Sequence, residues 1–191
     1  MHPHFTPGRI SISISVISQA GKLLCYTKRR LCQEIDDIMF EIRKLEITDV
    51  GRVIAYEQEL RRQEPDTYYW EPDETYRMQL ERSFGDQRFN NAISFIAVKA
   101  DRVIGRIDAS LISSRSDASC SSAYLDWICV LKSERHNKVA QSLLKALRDE
   151  CRRQGVGMLI ALTANNDEAQ RFYKSVEDAS IHDAGIWMDI K

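Results

Sequence analysis

Residues Tyr124 to Leu147 read Y-L-D-W-I-C-V-L-K-S-E-R-H-N-K-V-A-Q-S-L-L-K-A-L, and this stretch decides the fold. Its pattern predicts an apolar strand, a short polar turn and an amphipathic helix. A second stretch, N-D-E-A-Q-R-F-Y from Asn166 to Tyr173, opens another helix after a second apolar strand. A strand that leads into a helix N-terminus forms an anion site, because unpaired N–H groups and the helix dipole favour negative charge. The turn between the first strand and its helix carries positive charge on Lys132, Arg135 and Lys138, so we expect a phosphate or pyrophosphate there.

Two motifs in these stretches resemble those of the GNAT N-acetyltransferase superfamily. Val130, four residues, Arg135-x-x-x-x-Ala140 and then Leu-Leu is similar to the acyl-CoA-binding motif of that family. Asn166-x-x-Ala-x-x-Phe-Tyr173 is similar to the next motif, at the usual distance downstream. The resemblance covers roughly residues 39–191. It implies an acetyl-CoA-dependent enzyme that acetylates a primary amine by direct attack, without a metal.

The patterns along the chain predict a mixed α/β fold of order βααβββαβαβ, which is similar to the order of the resembled family. We expect a mostly antiparallel central sheet with helices on both faces. Strands are predicted at residues 40–45, 92–100, 103–112, 124–130, 158–163 and within 180–190. The first predicted helix ends at about residue 62, and the other three span residues 73–84, 137–153 and 167–176. Thr48 and Asp49 offer N-cap chemistry for the first helix.

Composition fits one soluble domain, with 191 residues, 43% hydrophobic and 29% charged. The net charge of −1 argues against a general nucleic-acid or anionic-membrane binder, and the apolar runs are too short to span a bilayer. Five cysteines form no C-x-x-C pair, which favours a reducing cytoplasm over a disulfide framework or a zinc site. His136 and His182 also lack metal-ligand spacing, so we expect no metal.

Residues 1–38 differ from the rest of the chain. Alternation from Ile10 to Val16 predicts a strand, and its serines argue against a signal peptide. From Met39 the chain reads like an ordinary start, F-E-I-R-K-L. We therefore expect residues 1–38 to be an N-terminal extension and residues 39–191 the GNAT-like domain. The extension is an accessory strand, an interaction arm or a consequence of start-codon choice.

The resemblance places the acyl-CoA beside strand 124–130 and on the turn that follows it. It implies backbone pairing with the pantetheine arm and an oxyanion donor near Ile128. The residues implied are Ile128, Cys129, Val130, Arg135, His136, Asn137, Lys138, Val139, Ala140, Gln141, Asn166, Ala169 and Tyr173. Lys138 stands where the family carries a loop glycine, and we expect it to be helical. The expected phosphate donors are the N–H groups of Arg135 and of residues 137–141. Glu177-Asp178 replaces a second family feature, a Gly-Phe pair.

Tyr173 is the candidate general acid, because the resemblance places its hydroxyl near the cofactor sulfur. The alternative is core packing, since Ala169, Phe172 and Tyr173 follow helical spacing. Asp126 is a carboxylate in an otherwise apolar strand, where we expect it to be buried. It is either a general base or ammonium anchor, or a structural partner of an arginine such as Arg106. Tyr124 is a further candidate on the same face.

Strict alternation predicts two faces for this strand. Tyr124, Asp126, Ile128 and Val130 would share one face, and Leu125, Trp127 and Cys129 the other.

The loop from Glu64 to Glu74 lies where the resembled family places its acceptor. Its acidic residues, Glu71 among them, would hold a cationic amine of a small molecule or peptide together with Tyr68, Tyr69 and Trp70. The alternative is a solvated loop whose aromatic residues fold onto the core. At the level of function, the alternative is a non-catalytic acyl-CoA-binding or protein-interaction module of the same fold. Dimers are common in the resembled family, so a homodimer is a further expectation.

Overall fold

The computed structural model of the chain describes residues 39–68, 70–113, 122–162, 166–181 and 188. Outside the described residues lie the predicted extension 1–38, Tyr69 and the predicted strand end at Thr163. The expected last strands also lie outside them, except for residues 180, 181 and 188. These expectations therefore stay predictions.

The described elements follow the predicted order. The strands are β1 (Glu41–Lys44), β2 (Ala92–Lys99), β3 (Arg102–Ile112), β4 (Ser122–Val130) and β5 (Met158–Ala161). The helices are α1 (Val50–Gln63), α2 (Glu74–Ser83), α3 (Val139–Arg153) and α4 (Asp167–Lys174), with short 3-10 turns at Ile47–Asp49, Gln87–Phe89 and Lys132–Glu134.

The five strands form one sheet in the order β1-β2-β3-β4-β5. The pairs β1–β2, β2–β3 and β3–β4 are antiparallel, and β4–β5 is parallel. This confirms the predicted mixed α/β fold with a mostly antiparallel sheet. The β4–β5 pairing runs only from Ser122–Met158 to Leu125–Ala161, whereas β4 continues to Val130. Within the described residues, β5 therefore ends before the second half of β4.

A β-bulge at Asp126 changes the two faces of β4. Leu125 pairs with Ala109 and Trp127 pairs with Asp108, so Asp126 is an extra residue in the ladder. Because directly paired residues share a face, Leu125 and Trp127 lie on opposite faces. The predicted faces were therefore wrong. One face carries Tyr124, Asp126, Trp127 and Cys129, and the other carries Leu125, Ile128 and Val130.

Helix α3 covers the Val130 face of the sheet. Its buried stripe includes Val139, Leu143 and Leu147, as its periodicity predicts. Gly105 on β3 lies directly beneath this stripe. A Cβ atom on Gly105 would lie 3.1 Å from side-chain carbons of Leu143 and Val139, so glycine permits the close approach of helix and sheet.

Helix α1 covers the opposite face with Val53, Tyr56 and Leu60, all buried. Asp49 lies at the start of this helix, but its side chain does not cap it. Instead Asp49 is fully buried and accepts two 2.6 Å bonds from Arg43, which hold the pKa of its carboxyl below the usual range. The expected N-cap interaction is thus replaced by an ion pair that joins α1 to β1.

Candidate functional site

Among the described residues, β4 has no β5 partner beyond Leu125, so one backbone edge of its second half is without a strand partner there, and the region beside this edge is called the cleft below. The Leu131 N–H donates to the Ile104 carbonyl of β3. Successive residues of a strand direct their backbone groups to alternate edges, so those of Ile128 and Val130 point away from β3. The Val130 carbonyl agrees, since it accepts a 3.2 Å bond from Arg135 Nε.

The turn after β4 ends in an irregular helix start. Helix α3 begins at Val139, and Lys138 is its N-cap with φ 62° and ψ 15°. The expectation of a helical Lys138 in a helix from Asn137 was therefore wrong, because Lys138 is left-handed. His136 is also left-handed, with φ 67°. The left-handed conformation is one that glycine adopts without strain. Turns that contain left-handed residues expose backbone N–H groups to anions.

Arg135 ties this turn to two other elements. Its guanidinium makes bonds to both carboxylate oxygens of Glu64, which follows α1, and a 2.8 Å bond to Glu168 in the first turn of α4. Its backbone N–H donates to Lys132, so this expected phosphate donor is already engaged. The side chain of Arg135 is 16% exposed, and its ion pairs hold the turn, the end of α1 and the start of α4 together.

The second helix of the cleft begins as its sequence predicts. Asn166 is the N-cap of α4, and its side-chain oxygen accepts a 2.9 Å bond from the Ala169 N–H. Asp167 and Glu168 occupy the first turn, where negative charge is favourable. Asn166 is thus the N-cap of the helix that follows β5, as Lys138 is the N-cap of the helix that follows β4.

Tyr173 is half-buried on α4 and packs edge-to-face on Phe172, with ring centroids 5.2 Å apart. Burial raises the pKa of its hydroxyl, and the phenol of Tyr124 raises it further. The two tyrosines are thus near enough to interact electrostatically. A tyrosine with a raised pKa stays protonated at neutral pH and can donate a proton.

Asp126 is exposed rather than buried, which corrects the expectation drawn from its apolar strand. Its Oδ2 accepts a 2.6 Å bond from the Ser110 hydroxyl of β3. Partial desolvation raises the pKa of the carboxyl; Ser110 opposes this, and Asp108 adds to it. The expected structural alternative, an ion pair with Arg106, is absent among the described residues, because Arg106 pairs with Glu57 and Asp108.

Glu57 is a buried carboxylate that is not among the predicted site residues. It is 3% exposed and accepts bonds from Arg106 at 2.8 Å, Tyr76 at 2.7 Å and Trp70 at 3.1 Å. These contacts join α1, α2, the loop between them and β3. Glu57 lies four residues after Val53, on the buried stripe of α1, and this spacing indicates that its carboxylate is buried.

The α1–α2 loop lies against the sheet through its aromatic residues. Trp70 contacts Tyr68 and Trp127 edge-to-face, each with ring centroids 5.2 Å apart. Tyr68 is buried and its hydroxyl lies 2.7 Å from Cys129 Sγ. Glu71 is exposed and pairs with Arg61. For Trp70 the alternative of an aromatic residue folded onto the core is the observed one.

The sequence matches the model of the acetyltransferase (GNAT) family over residues 54–176. No curated protein matches the chain. In the part of the chain that the structure describes, no group of three or more His, Cys, Asp or Glu residues is placed to hold a metal ion. The helices described are all too short or too polar to cross a membrane.

Solved acetyltransferases share the fold. An aminoglycoside acetyltransferase from an uncultured soil metagenomic sample is 17% identical, with TM-score 0.64, over 81% of this chain and 99% of that one. A ribosomal-protein-alanine N-acetyltransferase from Brucella melitensis is 14% identical, with TM-score 0.60, over 78% and 99%. A predicted acetyltransferase with acetyl-CoA from Clostridium acetobutylicum is 17% identical, with TM-score 0.58, over 80% and 96%. At these identities the likeness concerns the fold alone.

Proposed function

The chain belongs to the GNAT acetyltransferase family, and we propose that it transfers an acetyl group from acetyl-CoA to a primary amine by direct attack. The observation that carries this proposal is the edge of β4 beyond Leu125, which has no β5 partner among the described residues. One side of the cleft offers the backbone edge of Ile128 and Val130. Its end is formed by two helix starts, at Val139 and Asp167. The edge fits an amide-bearing arm, and the helix starts fit phosphates.

Lys138 supports the assignment of the phosphate end. Its left-handed backbone reproduces what glycine would adopt at this position, so the N–H groups of residues 138–141 stay directed outward. Its exposed ammonium adds a positive charge that glycine lacks. His136, Asn137, Ala140 and Gln141 complete the proposed phosphate turn.

Asp126 and Tyr173 are the proposed acid–base groups. An alkyl ammonium has a pKa of about 10.4, so it must lose a proton before its nitrogen can attack the thioester carbon. Asp126 would accept that proton, directly or through water. The carbon–nitrogen bond then forms, and an N–H such as that of Ile128 would stabilise the oxyanion. As the carbon–sulfur bond breaks, Tyr173 would donate its proton to the thiolate.

The acceptor would enter beside the α1–α2 loop, with Tyr124 and the loop residues Tyr69, Trp70 and Glu71 as candidates for contact. A small-molecule or peptide amine fits this position, since Asp126 and Glu71 are exposed carboxylates. The absence of C-x-x-C pairs in the sequence and the use of acetyl-CoA favour a cytoplasmic enzyme.

Calorimetric titration with acetyl-CoA tests the proposal. We expect saturable micromolar binding that Lys138→Glu weakens roughly tenfold, because the reversal replaces an attraction for the phosphates with a repulsion. Lys145→Glu is the matched control, since Lys145 is exposed on the same helix but two turns from its start. Equal losses in the two variants would refute the phosphate placement. Binding without turnover of any amine in a broad panel would favour the non-catalytic module.

A further inference from the structure

Ser110 and Asp126 form a hydrogen-bonded pair at the bulge between β3 and β4. Ser110 lies directly opposite Tyr124 in the β3–β4 ladder. Asp126, the extra residue of β4, lies on the same face, where the Ser110 hydroxyl donates to Asp126 Oδ2 at 2.6 Å. Because Asp126 has no directly paired residue in β3, Ser110 is the β3 side chain that holds its carboxylate.

We propose that Ser110 is the positioning residue of the acetyl transfer, and that its hydroxyl holds the Asp126 carboxylate with Oδ1 presented to the acceptor ammonium. This inference rests on the proposed function. Among the described residues, Oδ1 of Asp126 accepts no hydrogen bond, whereas Oδ2 is engaged by Ser110. One oxygen is thereby fixed and the other left available on an exposed side chain. A carboxylate held at one oxygen has fewer orientations to lose when it binds a cation.

The charges around Asp126 show why such a contact is needed. Asp108 of β3 lies near it as a like charge, with Arg106 paired to Asp108 at 2.7 Å. Tyr124 of β4 lies on the same face, and Tyr173 of α4 interacts with Tyr124. Partial desolvation and Asp108 both favour the protonated acid, and a protonated acid cannot accept a proton from the acceptor. The Ser110 hydroxyl favours the charged form, because it donates to the carboxylate.

A second serine–carboxylate pair provides a matched control one strand away. The Ser94 hydroxyl of β2 donates to Asp108 Oδ1 at 2.6 Å, and Ser94 is paired with Asp108 in the β2–β3 ladder. The hydrogen-bond distance is the same as in the Ser110–Asp126 pair, but Asp108 also has Arg106 as an ion partner. Removal of the Ser94 hydroxyl should therefore leave the acid–base behaviour of Asp126 unchanged.

The experiment compares Ser110→Ala, Ser110→Thr, Ser94→Ala and Asp126→Asn in the full chain. The first readout is a carbon-13 NMR titration of the Asp126 carboxyl, which needs no acceptor. The second is the pH profile of kcat/KM with an amine from the acceptor screen. Acetyl-CoA affinity is measured for every variant to confirm an intact cofactor site.

We expect Ser110→Ala to raise the midpoint of the Asp126 titration by about one pH unit, the loss of one charge-assisted hydrogen bond. The acidic limb of kcat/KM should move upward by the same amount, while Ser110→Thr and Ser94→Ala stay at the wild-type position. In the Asp126→Asn background, Ser110→Ala should have no further effect on the profile.

An Asp126 titration that Ser110→Ala leaves unchanged would overturn the proposal whatever the enzyme acetylates. Full activity of Asp126→Asn would also overturn it. Failure of acetyl-CoA to bind wild type would instead refute the proposed function, and the NMR titration would still report on the serine–carboxylate contact.

Discussion

Replacing Gly105 with alanine tests how closely α3 must pack on the sheet. The new Cβ would lie 3.1 Å from Leu143 Cδ1, 3.1 Å from Val139 Cγ1 and 3.2 Å from Val130 Cγ2. Ordinary contacts between carbon atoms lie at about 3.5–4.0 Å, so all three neighbours would have to move. Leu143 is 0% exposed, Val139 2% and Val130 6%, and they belong to two different elements. They cannot all retreat together, so the variant should be overpacked.

Overpacking of a dense core costs about 1–3 kcal/mol, and replacement of glycine itself regains about 0.5–1 kcal/mol. The net loss should be at most about 2.5 kcal/mol of unfolding free energy. Since 1 kcal/mol shifts the midpoint of a domain of this size by about 2–4 °C, the melting temperature should fall by at most about 10 °C. Val139 opens α3, so acetyl-CoA affinity should fall as well.

Gly51→Ala is the matched control. Gly51 lies in the first turn of α1, and a Cβ there meets no atom within 4 Å. This variant should gain about 0.5–1 kcal/mol from helix propensity and keep wild-type acetyl-CoA affinity. Urea unfolding and calorimetric titration of both variants measure the two effects. A Gly105→Ala protein as stable as Gly51→Ala would refute the close packing of α3.

Three further outcomes follow from the described contacts. Arg135→Ala should lower the unfolding free energy in urea by about 2–3 kcal/mol, since Glu64 loses a charge-assisted partner; a smaller loss in Arg135→Lys would agree. Hydrogen bonds led by that from Arg153 depress the pKa of Glu150, so this carboxyl stabilises the fold above its unfolded pKa and the contribution fades on acidification. Glu150→Gln should accordingly be less stable at pH 7 and lose less stability than wild type between about pH 5 and 3. Tyr173→Phe should lower kcat by about 10²–10⁴-fold at unchanged acetyl-CoA affinity; full activity would remove the acid role.

The fold was largely predictable because its signals are local. The apolar stripe of α3, the Asn166 cap and the tight turn between β2 and β3 each occur within one element or turn. The left-handed Lys138 was not predictable, because propensity assigns lysine to a helix and only the packed turn requires a positive φ. The faces of β4 were wrong for a similar reason, since a bulge is a relation between two strands and leaves no period in either alone.

The candidate site was harder to predict, because its polar contacts join distant residues. Glu57 and Arg106 are 49 positions apart in sequence, and Arg135 and Glu64 are 71 apart. A partial signal existed in β3, where Arg106, Asp108 and Ser110 recur at every second position. That period indicates a polar face, although it does not name the partners across the sheet.

The bulge in β4 also separates the packing of the strand against α3 from the chemistry of the side chain at position 126. Leu125 and Ile128 both face α3 although they are three residues apart, because the extra residue at position 126 is taken up on the other side. The side chain at 126 can therefore change identity without repacking the hydrophobic core. A library of substitutions at 126 should stay folded where the same library at Leu125, which is 5% exposed, would not. Loss of activity across such a library would therefore report the loss of the Asp126 carboxylate and not the loss of the fold.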